Sequence, residues 1–251
     1  MGAHLGAEKR ARLVRVHRVF LKDLRAGERV LSGAEAHHLA QVLRVKPGAR
    51  VRAFDGSGLE AAGEVSQVDA LSVTLHLGAP QPSDVEAALK LTLAVPLLKG
   101  DKFSEVVRRG TELGAVRFVP VLTSRCDVKV LSDNKLTRYR RVATEAAKQS
   151  GRSVVPEVEP LRKLSGLDLG PLTLVAHPLA SATLREVMRS DAAPDVEEVM
   201  LVTGPEGGLS EQEVESLVER GAKNVTLGAR ILRAETAPIA LVAALLLPEA
   251  L

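Results

Sequence analysis

Period-two alternation and β-branched residues mark the first part of the chain as a set of short strands. VRVHRVF (14–20), ARVRAFDGSGLEAAGEV (49–65, with an Asp55-Gly56 turn signal between two strand-like runs) and SVTLHL (72–77) follow this pattern. One helix-like stretch, EAHHLAQVLRV (35–45), interrupts them, and the two prolines of GAPQPSD (78–84) read as a linker and domain boundary. Beyond it the pattern becomes strand, helix, strand. The strand candidates are LKLTLAV (89–95), VRFVPVL (116–122), LTLVAH (172–177), VMLVT (199–203) and KNVTL (223–227). Between them, DKFSEVVRRGTELG places Phe103, Val106, Val107 and Leu113 on one helical face, and SDNKLTRYRRVATEAAKQSG does the same with Leu136, Tyr139, Val142, Ala143 and Ala146. Alternation of this kind predicts an α/β domain with a mostly parallel sheet.

Composition narrows the picture. At 251 residues and 45% apolar content the chain supplies core for one large domain or two small ones. With four Phe, one Tyr and no Trp, that core is built from Leu, Val and Ala, and an aromatic platform for stacking bases is not expected. A single cysteine, Cys126, rules out an internal disulfide and points to a reducing compartment, with a buried inert thiol as its role. The longest apolar run, 239–247, falls far short of the roughly 20 residues of a spanning helix. The N-terminal MGAHLGAEKRARLV has charges but no apolar core of a leader. The reading is a cytoplasmic protein, away from membranes. Net charge is +3, yet residues 1–82 hold 12 Lys/Arg against 8 Asp/Glu and residues 99–152 hold 13 against 6, which leaves the remainder acidic. Such segregation suits a polyanionic partner, and equally a set of solvated helix faces.

The most informative stretch is LVTGPEGGLSEQEVESL (201–217). Ser210 and Glu213 have capping-box spacing, Leu209 and Val214 fit a hydrophobic staple and Gly221 suits the stop, so GPEGGL joins the carboxyl end of a strand to a helix. Ligands bind at that edge of open α/β sheets. A phosphate cradle does not fit: neither G-x-x-x-x-G-K-[ST] nor G-x-G-x-x-G is present, and Glu206 would repel a phosphate. Two readings stand: a tight turn with a solvated carboxylate, or a backbone that approaches a flat ligand bearing hydroxyls or a positive sulfonium. A second strand-end loop, LGARILRAETAPIALVAALLL (227–247), carries Arg230 and Arg233 before an apolar helix capped by Thr236 with Pro238 in its first turn. For Arg233 and Glu235 the alternative is a surface ion pair. No H-E-x-x-H or Cys/His cluster occurs, so no metal is expected.

Taken in order, KGDK (99–102), TELG (111–114), EAAKQSGR (145–152), GPEGGL (204–209) and LGARILRAETA (227–237), with the upstream HHLAQVLRVKPGARVRAFDGSG, closely resemble the bacterial 16S rRNA uridine-N3 methyltransferase family, RsmE, over nearly the whole chain. The resemblance implies a SPOUT-class domain over 83–251, α/β with a trefoil-knotted parallel sheet, preceded by a small PUA-like β-barrel domain over 14–82; residues 1–13 look like an added basic tail, read as disordered. It also implies a homodimer acting on 16S rRNA, on the assembled 30S subunit. Carried over residue by residue, S-adenosyl-L-methionine falls to Thr203, Gly204, Pro205, Glu206, Gly207, Gly208, Leu227, Gly228, Ile231, Leu232 and Arg233. For stabilising a uracil anion, Arg233 is the first candidate and Arg152 the second. Arg18, Lys99, Lys102, Arg108, Arg109, Arg138, Arg140 and Arg141 are candidates for RNA phosphates. His37 and His38 read as packed or exposed rather than as bases. Alternatives are a SPOUT methyltransferase acting on tRNA and a catalytically silent RNA-binding protein on the same fold.

Overall fold

The computed structural model describes residues 16–189 and 196–247; the tail expected over 1–13 lies outside them. The chain divides into two compact units, Met1–Glu86 with Gly151–Val154, and Ala87–Ser150 with Val155–Leu251. The first crossing, at Glu86, lies just beyond the expected boundary at 82, because Gln81–Pro82 is itself a short strand rather than linker. The return of Gly151–Val154 to the first unit is not foreseeable from local pattern.

In the first unit, β1 (His17–Phe20), β2 (Gly27–Ser32), β3 (Arg50–Phe54), β4 (Leu59–Val68), β5 (Ser72–Leu77) and β6 (Gln81–Pro82) form one sheet in the order β1-β3-β4-β5-β2, with β6 on β4. The end strands β1 and β2 of this path do not pair with one another. Only β1–β3 is parallel. Helix α1 (Gly33–His37) runs into a π-turn, His38–Val42. Alternation in β5 sends Val73, Leu75 and Leu77 inward onto Val19, Leu39, Val51, Ala53 and Val65. Strand β2 escaped the sequence pattern because it buries only Leu31, while Val30 is 63% exposed.

Gly151–Val154 is strapped to this unit by charge. The Glu86 carboxylate accepts from Arg152 Nε and Nη2 (3.0 and 2.7 Å) and from the amides of Ser153 and Val154 (2.9 and 3.0 Å). Arg18 donates to the Arg152 carbonyl at 2.7 Å and to Ser153 Oγ at 3.1 Å, while its guanidinium stacks over Phe54.

The second unit follows the alternation: β7 (Lys90–Pro96), α2 (Lys102–Leu113), β8 (Arg117–Leu122), α3 (Asp133–Ser150), β9 (Glu157–Val158), β10 (Arg162–Lys163), β11 (Leu172–Ala176), α4 (Leu184–Arg189), β12 (Glu198–Val202), α5 (Glu211–Glu219), β13 (Lys223–Val225) and α6 (Thr236–Leu246). Every pair in the sheet, ordered β10-β8-β7-β12-β11-β13 with β9 on β8, is parallel. Both faces are covered, as parallel sheets require. On one, Leu91, Leu93, Phe118, Leu174 and Leu201 pack with Phe103, Val106 and Val107 of α2, Tyr139 and Ala143 of α3, and Leu241 and Val242 of α6. On the other, Ala94, Val119, Val175, Met200 and Val202 meet Val214 and Leu217 of α5.

Gly110 lets α2 lie close to the sheet. A Cβ there would sit 2.8 Å from Phe118 Cε1 and 3.1 Å from Leu93 Cδ1, both fully buried side chains. Gly to Ala inside a helix ordinarily stabilises by about 1 kcal/mol. Here overpacking of about 1–3 kcal/mol outweighs that gain. Gly110→Ala is therefore expected to lower the thermal midpoint; a midpoint at or above wild type would show that the helix simply shifts.

Candidate functional site

Because all strands of the second unit run parallel, their carboxyl ends share one edge. There the segments after β11 (176–179), β12 (203–209) and β13 (226–235), with Lys102 of α2 and Arg125 beyond β8, enclose a cavity of about 720 Å³. All eleven residues assigned to the cofactor by resemblance, from Thr203 through Gly208, then Leu227, Gly228, Ile231, Leu232 and Arg233, line it. Its volume falls in the range of small-molecule and cofactor pockets.

The glycine-rich loop is folded tightly on itself. A Cβ on Gly204 would lie 2.7 Å from the Leu209 amide nitrogen and 2.9 Å from the Gly208 carbonyl carbon, so no other residue fits. Gly208 (φ 69°) and Gly228 (φ 101°) occupy the left-handed region. Gly207 is different: a Cβ there would face Arg125 Cβ at 3.4 Å. Arg125, which the sequence reading missed, lines the cavity and clamps the loop by donating to the Gly207 and Leu209 carbonyls at 3.0 and 3.4 Å.

The capping box forms as predicted: Glu213 N donates to Ser210 Oγ (3.2 Å), and Ser210 N donates to Glu213 Oε2 (2.9 Å). Leu209 and Val214 are both buried, and Gly221 (φ 99°) follows the end of α5. Glu213 does more than cap. It also accepts from Ser124 N (2.6 Å) and Ser124 Oγ (3.0 Å), tying the segment after β8 to the helix that follows the glycine loop. Burial alone would raise its pKa, but the hydrogen bonds from Ser210 and Ser124 outweigh burial and hold it below the ordinary glutamate value.

Charge in the cavity is organised by Lys102. Its ammonium lies 3.3 Å from Glu206 Oε1 and 3.4 Å from Glu235 Oε2. Lys102, an RNA-phosphate candidate by sequence, is thus engaged inside the cavity, and Glu235 pairs with it rather than with Arg233. A hydrogen bond from its own amide, offset by burial and helped by Lys102, keeps Glu235 below the usual carboxylate range. The two carboxylates face each other across Lys102, while Arg125, Arg230 and Arg233 also line the cavity, so acidic and basic groups occupy separate parts of its wall. Thr203 Oγ1, buried in the wall, has no hydrogen-bond partner among the described residues. Arg233 is exposed at the cavity; its carbonyl accepts from Thr236 N and Ala237 N at the start of α6, and its guanidinium makes no ion pair among the described residues. The N-cap position of α6 is Glu235 rather than Thr236. Apolar Leu179 and Ile231, 86% and 85% exposed, are part of the lining.

The remaining sequence candidates lie elsewhere. Arg152 is buried against Glu86 in the first unit and does not line the cavity. Arg18 is engaged in the strap with Glu60 and Ser153. Lys99 pairs with Asp127, Arg108 and Arg109 with Glu105, and Arg138 with Asp101, while Arg140 donates to the Val158 carbonyl. Arg141 is exposed without an ion pair among the described residues. His37 is exposed and His38 half-buried, both in the first unit. Cys126 is buried, and no group of three His, Cys, Asp or Glu able to hold a metal gathers among the described residues.

With this geometry in hand, the chain matches an RNA methyltransferase domain over residues 85–246 and an RNA methyltransferase PUA domain over 31–77. It is 38% identical over 215 residues to the ribosomal RNA small subunit methyltransferase E of Synechocystis sp., covering 83% of this chain and 69% of that one. Its counterpart of the same name from Bacillus subtilis is 34% identical, over 83% of this chain and 86% of the relative. Among solved structures, ribosomal RNA small subunit methyltransferase E from Neisseria gonorrhoeae bound to S-adenosyl methionine superposes with a TM-score of 0.82 at 29% identity, over 92% and 96% of the two chains. A methyltransferase from Legionella pneumophila in complex with the same cofactor gives 0.81 at 28%, over 92% and 97%.

The three hydrogen bonds accepted by the Glu213 carboxylate generate a stability prediction. Glu213→Gln keeps capping-box geometry but loses charge assistance, so it should cost about 1 kcal/mol at pH 7. The folded pKa is depressed, so the carboxylate's contribution is complete above its unfolded value of about 4.3 and is lost as pH falls through the folded pKa. Urea titrations of the two proteins should therefore diverge at neutral pH and converge in acid.

Proposed function

The chain belongs to the RNA methyltransferase family that includes the ribosomal RNA small subunit methyltransferase E enzymes, and we propose that it transfers the methyl group of S-adenosyl-L-methionine to N3 of a uridine in 16S rRNA. The observation that carries this reading is the cavity at the sheet's carboxyl edge, lined by the glycine-rich loop and the segment before α6 on a fold that relatives present with the cofactor bound.

The residues fit that cofactor. Thr203 Oγ1 offers an unmet hydrogen-bonding group, Gly208 leaves open space beside its backbone, and the Glu206 and Glu235 carboxylates offer acceptors for hydroxyls and a local counter-charge for a sulfonium. When bound, S-adenosylmethionine supplies a methyl group activated by its sulfonium. What the chain must do is orient the uridine and favour loss of its N3 proton, since a free uracil keeps that proton at neutral pH. Arg233 suits the second task. Its guanidinium feels the Glu235 charge but is bound to no carboxylate among the described residues, so it can donate to O2 or O4 of uracil, spread the charge of the anion and lower the pKa at N3.

The finer readings rest on the resemblance: a trefoil-knotted sheet, the assembled 30S subunit as substrate, a cytoplasmic location and a homodimer. No described helix is long and apolar enough to cross a membrane. Support for the dimer comes from α6, whose sequence is apolar all round. In this chain it buries Pro238, Leu241 and Val242, while Leu247 just beyond it is 42% exposed. A second copy would cover the remainder.

Calorimetry with S-adenosylmethionine, followed by methyl transfer to purified 30S particles and to bulk tRNA, tests the reading. Cofactor binding with methylation of 30S alone supports it. Methylation of tRNA alone would make the chain a tRNA enzyme, and absence of cofactor binding would leave an RNA-binding protein. Gly204→Ala should fold yet lose cofactor affinity by on the order of tenfold or more, because the added methyl forces the loop open at Leu209. Arg233→Ala should slow single-turnover methyl transfer by on the order of 10²-fold, as for loss of one oxyanion donor, with little change in RNA affinity. Its rate should keep rising to higher pH than the wild type's. Coincident pH profiles would make Arg233 a binding residue only.

A further inference from the structure

Among the described residues, eleven positions with left-handed backbone carry glycine, and one does not: Arg44, at φ 52°. A side chain in that region crowds the neighbouring carbonyl, so a residue other than glycine there is strained. The backbone cannot relax away from it. The π-turn closes with Leu43 N to the His38 carbonyl (2.9 Å) and Val45 N to the Leu39 carbonyl (3.0 Å). Leu39 and Val45 are buried in the first unit's core, and Leu43 packs against it. The reversal at 44 is thus held from both sides, at the position after a helix end where glycine is the usual occupant. Four residues on, a separate turn, closed by Ala49 N to the Lys46 carbonyl (3.0 Å), uses Gly48 at φ 84°, as geometry alone would ask.

The Arg44 side chain gives nothing back to the fold. It is exposed, and its guanidinium has neither hydrogen bond nor ion pair among the described residues. Lys46, Gln41 and His37 nearby are exposed as well, and Val42 is 60% exposed. By contrast Lys99, Arg108 and Arg138 each have a carboxylate that must be surrendered before they can bind an anion. Strain at a residue whose side chain is idle in the folded unit marks a residue used in binding.

We propose that Arg44 is the phosphate anchor of the first unit: its guanidinium, held outward by the left-handed turn, forks onto the backbone of the substrate RNA, with Lys46 adding a second positive charge. The inference rests on the RNA methyltransferase reading. It differs from a general basic surface in assigning the contact to one strained residue, and so stability and affinity should respond in opposite directions.

Full-length Arg44→Gly is the test, with Arg44→Lys beside it. Relief of strain should leave the thermal midpoint of Arg44→Gly unchanged or raised. Its affinity for purified 30S particles should fall by about tenfold or more, the slope of log affinity against log salt should drop by about 1, and calorimetric affinity for S-adenosylmethionine should not change. Arg44→Lys keeps charge and strain but not the fork, so it should bind RNA between the two and melt no higher than wild type. Wild-type affinity and salt slope in Arg44→Gly would overturn the assignment, and so would a lowered midpoint, which would make the side chain structural. Failure of the wild-type protein to bind the particles at all would instead overturn the methyltransferase reading itself.

Discussion

Parallel pairing is the constraint on which the second unit depends. A parallel ladder cannot be closed by hairpins, so each strand returns by a crossover and all carboxyl ends fall on one edge. Segments as distant in sequence as Lys102, Arg125, Leu179, Glu206 and Arg233 are thereby brought around one cavity. The sheet supplies rigidity through apolar cores on both faces, while the loops at its edge carry the chemistry.

Within that edge, polar contacts decide shape. Glu213 ties the segment after β8 to the start of α5, and Arg125 fastens the loop between them by its carbonyls. The cavity wall itself combines glycine backbone, Thr203, apolar side chains and the charges of Lys102, Arg125, Glu206, Arg233 and Glu235. Lys102 holds one carboxylate from each of two cavity-lining segments and so ties those walls together.

In the first unit a carboxylate again does the organising. Glu86 accepts from both the side chain of Arg152 and the backbone after it, so Gly151–Val154 is fixed by charge-assisted bonds rather than by apolar burial. Arg152 is thereby engaged in the strap and kept out of the cavity at the sheet edge.

The sequence by itself determined the elements whose cause is local. Alternation placed β5, the 3.6-residue period placed α2 and α3, and the Ser210–Glu213 spacing specified a capping box that forms as read. The order of motifs identified the loops that line the cavity, because glycine and strand-end spacing are properties of short segments. Strand β2, with one buried side chain, carried too little pattern to read. The tertiary structure alone decided which charges are already spent: Lys102 on Glu206 and Glu235, Arg138 on Asp101, Arg18 and Arg152 on the strap. It alone revealed Arg125 as a clamp and Arg44 as strained. The physical reason is that periodicity and capping are encoded within a turn or two of chain, whereas an ion pair or a forced backbone angle depends on what distant segments the fold brings alongside.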